Sequence, residues 1–110
     1  MSSHFYENPK VMKTDFQFIE IPIDEALKTY TLEQLKILSS KFNWLMQATI
    51  YFKFEQRKPD RGSICEIKIA SFGPSISAKS NQRDYETAVE LTIHDLESQL
   101  TKRMSVLHSR

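Results

Sequence analysis

The sequence predicts an α+β domain of order β-α-β-β-β-α, a four-stranded sheet with two helices packed on one face. Three observations carry this expectation. Two long stretches repeat apolar residues at helical spacing, and four short stretches alternate or nearly alternate apolar with polar residues. Every Gly and Pro falls between these stretches rather than inside them. A chain of 110 residues, 40% hydrophobic and 26% charged, has room for one core and one domain.

The elements follow in order. Residues 1–14 mix polar, aromatic and basic types around Pro9 and are expected to form an arm ahead of a single domain, 15–110. Phe16, Phe18 and Ile21, with Pro22 behind them, predict a first strand over Asp15–Ile21. Asp24 is a good N-cap, because its carboxylate can accept from free N–H groups of a first turn. Leu27, Tyr30, Leu35, Leu38, Phe42 and Leu45 then recur at helical intervals, predicting a helix from Asp24 to about Asn43.

From Met46 to Glu55 the period changes to two. Ala48, Ile50, Phe52 and Phe54 share a greasy side, and Tyr51 falls on the other. The polar stretch Gln56–Gly62 is a loop. Ser63–Ser71 alternates again, with Cys65, Ile67 and Ile69 inward. Gly73-Pro74 is a turn, and Ser75–Ser80 is a fourth strand. These three strands read as an antiparallel meander. Asn81-Gln82-Arg83 is expected to be a connector. Asp84 caps a second helix whose apolar side is Tyr85, Ala88, Val89, Ile93, Leu96, Leu100 and Leu107. Two helices can cover only one face of such a sheet, so the other face is expected to be open.

Charge and motifs exclude several functions. Net charge is +1, from 15 Lys+Arg against 14 Asp+Glu, too balanced to announce a nucleic-acid partner by its sum. The distribution leans toward the second half, with six basic residues before position 56 and nine after it. A single cysteine, Cys65, permits no internal disulfide and suits a reducing cytosol as a buried structural thiol. The N-terminus has no basic start followed by an apolar run, and no stretch approaches the roughly 20 apolar residues of a membrane span. His4, His94 and His108 lack partners at triad or metal spacing, and Gly62 and Gly73 both fall in turns. No catalytic residue, metal, cofactor or small-molecule substrate is expected, and the protein is not expected to be an enzyme.

Several residues do resemble a known family. Ile23-Asp24-Glu25-Ala26-Leu27-Lys28 is similar to the "(I/L)-T-E/D-A-L-(K/R)" helix opening of the ribosome hibernation-promoting factors, also called ribosomal-subunit interface or sigma-54 modulation proteins. The likeness continues through Leu38, Phe42 and Lys53 and resumes at Asp84, Ala88, Val89 and Leu96. It closes on Gln99-Leu100-Thr101-Lys102-Arg103, similar to "L-x-x-Q-L-x-K". It covers about residues 15–108. The resemblance implies the same β-α-β-β-β-α order and a short form without a dimerising second domain, expected to be monomeric and cytoplasmic. It also implies binding to the small ribosomal subunit, where the domain blocks the tRNA and mRNA sites and silences translation under stress.

The chain departs from the family at Glu33, Gln34, Ile37 and Ser40, and at Met104, Val106 and His108, where basic residues are common. The RNA-binding candidates that remain are Lys28, Lys36, Lys79, Arg83, Lys102 and Arg103. Lys28, Lys102 and Arg103 match the family, whereas Lys36, Lys79 and Arg83 rest on charge alone. By charge, a solvated face is the commoner outcome for such a set, and the resemblance reverses that weighting. The loop Arg57–Arg61 is more often merely solvated, and Phe52 and Phe54 more often pack under helices than stack on bases. The thinned lysines also admit a second function, a divergent member that has left the ribosome and binds a protein through its open sheet face or edge.

Overall fold

A computed structural model of the protein describes residues 12–56 and 58–108, the side chains of residues 106–108 apart. Most of the expected arm, Arg57 and the Leu107 side chain lie outside the described residues. The elements run β1 (Lys13–Phe18), α1 (Glu25–Lys41), β2 (Gln47–Phe54), β3 (Ser63–Ala70), β4 (Ile76–Gln82) and α2 (Tyr85–His108). They form one four-stranded sheet in the order β1-β2-β3-β4.

β1 and β2 are parallel, with Lys13 beside Gln47 and Phe18 beside Phe52. A parallel pair needs a crossover, and α1 supplies it. β2, β3 and β4 form the antiparallel meander, with Ile50 beside Ile67 and Ile67 beside Ala78. Asp24 caps α1 by accepting from the Leu27 N–H at 3.1 Å, and Asp84 accepts from the Thr87 N–H at 2.7 Å. That second bond holds the Asp84 carboxyl below its ordinary pKa.

Because β1, β2 and β4 point one way, both helices start at the same end of the sheet. They run parallel to each other, with Tyr30 Oη donating to Glu90 at 2.7 Å and Lys41 Nζ donating to Glu97 at 2.9 Å. The core between helices and sheet holds Leu27, Leu35, Leu38, Ile50, Phe52, Ile67, Ile69, Val89, Leu96 and Leu100, all essentially without solvent contact. Polar groups caught there find partners. Thr31 Oγ1 donates to the Leu27 carbonyl at 2.8 Å and Thr92 Oγ1 to the Cys65 carbonyl at 3.3 Å. On the β4 edge, Gln99 Nε2 donates to the Ser77 carbonyl at 2.9 Å, which occupies an acceptor on a strand with no further neighbour among the described residues.

Three expectations need correction. The first strand is Lys13–Phe18 rather than Asp15–Ile21. It starts earlier because Lys13 N donates to the Met46 carbonyl, and Met12 is already in the core. It stops earlier because Ile19 N makes the last bond to β2, and Glu20, at φ 58°, turns the chain off the strand line. Asn81 and Gln82 belong to β4 rather than to a connector, paired with Ile64 and Ser63. Phe54 does not pack under the helices, being 54% exposed. Tyr85, the first residue of α2, meets Phe52 edge-on at 5.7 Å between ring centres, and the helical cover ends there. Phe54 lies beyond it, its ring turned instead onto Gly62.

Candidate nucleic-acid interface

The six sequence candidates are not brought into one patch. Lys28 and Lys36 lie on α1, Lys102 and Arg103 near the end of α2, Arg83 in the β4–α2 turn, and Lys79 on β4. The Tyr30–Glu90 bond sets the two helices level at those residues. Lys28 and Lys102 are therefore roughly 20 Å apart along the helix axes, at about 1.5 Å per residue.

Two of the four helical candidates sit against other parts of the chain. Lys28 sits 5.7 Å over the Phe16 ring and 3.8 Å from Glu25. Arg103 folds back on the β3–β4 turn, its Nη1 buried 3.6 Å from where a Cβ on Gly73 would stand, with no hydrogen-bond partner among the described residues. The helices also carry carboxylates. Glu25, Glu33, Glu86, Glu90, Asp95 and Glu97 make six, against the five cations Lys28, Lys36, Lys41, Lys102 and Arg103. The sequence showed each of these charges, but only the parallel packing of α1 on α2 makes them one surface with a slight excess of negative charge.

The open face of the sheet differs. Strand alternation puts Lys13, Asp15 and Gln17 of β1 on it, with Thr49, Tyr51 and Lys53 of β2, the buried Ile64, Glu66 and Lys68 of β3, and Ser77, Lys79 and Asn81 of β4. That is four lysines against two carboxylates. Tyr51 stands near the middle, half-buried, with Lys68 Nζ 5.4 Å from its ring centre. The ion pairs found among the described residues, Lys28–Glu25 and Lys41–Glu97, are both on helices. Sequence reasoning missed Lys13, Lys53 and Lys68 as a group with Lys79. The signal was present in the polar half of each strand's alternation, but which strands adjoin was not.

A cleft of about 860 Å³ opens where β1 leaves the sheet, lined by Ile19, Ile21, Ile23, Leu27, Phe54 and Tyr85 among others. Three of these, Ile19, Ile23 and Phe54, are exposed.

Among the described residues, no group of three or more His, Cys, Asp or Glu side chains is placed to hold a metal. No helix among them is long and apolar enough to cross a membrane. Cys65 is fully buried on β3, and burial pushes its thiol from the ordinary 9.0 up to about 12. The neutral thiol is thus favoured by folding. That contribution is complete below pH 9 and is lost as pH rises toward about 12. Iodoacetamide at about pH 8 is expected to leave Cys65 of the folded protein unmodified while fully alkylating the urea-unfolded chain, as read by intact mass. Equal labelling rates in the two states would show an accessible, reactive thiol.

Comparison with known proteins follows this geometry. The profile of the family described as "Sigma 54 modulation protein / S30EA ribosomal protein" matches residues 14–107. Among solved structures, a ribosomal subunit interface protein from Coxiella burnetii superimposes with a TM-score of 0.74 at 22% identity, covering 86% of this chain and 99% of that one. The Thermus thermophilus Protein Y N-terminal domain superimposes at 0.70 and 16% identity, covering 84% and 98%. At these identities the two structures establish a shared fold. The search of curated proteins gave no match.

Proposed function

Because the chain belongs to the sigma 54 modulation protein / S30EA ribosomal protein family, we propose that it is a cytoplasmic, ribosome-associated stress factor. It binds the small subunit and inhibits translation by occupying the tRNA and mRNA sites. It works as a wedge, without catalysis, cofactor or small-molecule substrate, and it acts as a monomer. The observation that carries this reading is the extent of the family match, which takes in the whole β-α-β-β-β-α unit rather than one motif. Of the six expected contacts, Lys28, Lys36, Lys79, Arg83, Lys102 and Arg103, those that meet the subunit act by neutralising phosphate and releasing counterions.

The test is sedimentation with purified small subunits, followed by addition of the protein to a cell-free translation reaction. Binding is expected to weaken steeply between about 50 and 200 mM salt, with a log–log slope near 0.7–0.9 per phosphate contacted. Absence of co-sedimentation at the lower salt, or binding that salt does not touch, would remove the reading.

A second reading is favoured by one observation, the exposed Ile19, Ile23 and Phe54 around a single cleft. Apolar side chains gathered in this way suit a protein partner. A pulldown that recovers one protein and no ribosomal proteins would select that reading.

A further inference from the structure

We propose that the open face of the sheet, rather than the helical layer, is the surface through which this chain grips ribosomal RNA. The inference rests on the ribosome-binding reading above and assigns it a face. The two sides of the molecule differ in charge. The helices carry five cations and six carboxylates, and two of those cations are spent in ion pairs with Glu25 and Glu97. The sheet face carries Lys13, Lys53, Lys68 and Lys79 against Asp15 and Glu66. A phosphate-rich surface is repelled by the first and attracted by the second.

The side chains between those lysines also point to RNA. Gln17, Thr49, Ser77 and Asn81 make most of the face polar, with Tyr51 and the buried Ile64 as its apolar members, unlike the core of a protein–protein contact. Neighbouring strands are about 4.8 Å apart, so the four strands present a nearly continuous platform about 14 Å wide. A broad cationic surface of this kind meets folded RNA by shape and backbone rather than by base edges. Lys68 is partly organised in advance, since its ammonium lies 5.4 Å over Tyr51 and so loses less freedom on meeting a phosphate. Only Lys79 of the six sequence candidates belongs to this face. Its cross-strand neighbour is Glu66, which itself lies beside Tyr51.

The test compares two variants that lose equal charge, so that a general effect of net charge cancels. One is Lys53→Gln, Lys68→Gln and Lys79→Gln on the sheet. The other is Lys28→Gln, Lys36→Gln and Lys102→Gln on the helices. Affinity for purified small subunits is measured across a salt series, with far-UV circular dichroism to confirm the fold. The sheet variant is expected to bind at least about tenfold more weakly, and its salt slope is expected to fall by about 3, near one per lysine. The helix variant is expected to change both far less. Single Lys68→Gln and Lys79→Gln variants, each expected to lower the slope by about 1, read the same face should the triple variant fold poorly. Equal losses in the two triple variants, or a larger loss in the helix variant, overturn this inference and leave the ribosome reading standing. A wild-type protein that binds heparin, anionic vesicles or an acidic protein but no subunits overturns both.

Discussion

Phe52→Ala is expected to destabilise the domain by about 3–5 kcal/mol, a large share of the roughly 5–15 kcal/mol that holds a small protein folded. Phe52 has no solvent exposure. Its ring lies 6.3 Å from Phe16, 5.2 Å from Phe18 and 5.7 Å from Tyr85, so it joins β1, β2 and the start of α2 in one aromatic cluster. Truncation removes the transfer energy of the ring and leaves a cavity that two strands and a helix cannot all close at once. The measurement is the urea midpoint at an unchanged slope of stability on denaturant. Phe54→Ala is the control two residues on. Its ring is 54% exposed, and its loss is expected to cost well under half as much. Similar midpoints for the two variants would mean that Phe52 does not organise the core as described.

Gly62→Ala is the second large effect, about 1–3 kcal/mol, from two causes that can be separated. The backbone there has φ 147°, which L-residues rarely adopt. A Cβ would also stand 2.7 Å from Phe54 Cε1 and 2.9 Å from Cζ. Gly62 N donates to Asn81 Oδ1 at 2.7 Å, and Glu55 N donates to the Gly62 carbonyl at 2.9 Å, so a shift here disturbs how the β2–β3 loop joins β4. In the double variant Phe54→Ala, Gly62→Ala the ring contact is gone and the backbone strain remains. Thermal unfolding is expected to recover part of the loss, not all. Full recovery would show that the steric contact alone constrains Gly62, and no recovery would show that only φ matters.

These two residues also show where sequence reasoning stops. Alternation placed Phe52 and Phe54 on the same side of β2, and they are on the same side. Burial separates them, because α2 begins at Tyr85 and its cover ends above Phe52. The length of a covering helix against a strand is a relation between distant parts of the chain. Asp24 and Asp84, by contrast, were legible as caps because capping is decided within three residues. β1 was placed two residues late at its start and three late at its end. Its limits are set by Met46, just ahead of β2, by Phe52 of β2 and by the left-handed turn at Glu20, none of which periodicity reports.

The amino-acid order by itself determined the succession of elements, the helix caps, the apolar side of each strand and the family likeness. The elements, caps and apolar sides follow from contacts within a turn or from repeats of 3.6 and 2.0 residues, and the likeness rests on the motifs at 23–28 and 99–103. Tertiary structure alone decided which charges share a surface. Register sets Lys53, Lys68 and Lys79 on one face with Lys13, while parallel helix packing brings Glu90 and Glu97 against α1. Electrostatic attraction depends on distance in space, and pairing of strands and helices is what converts separation along the chain into that distance.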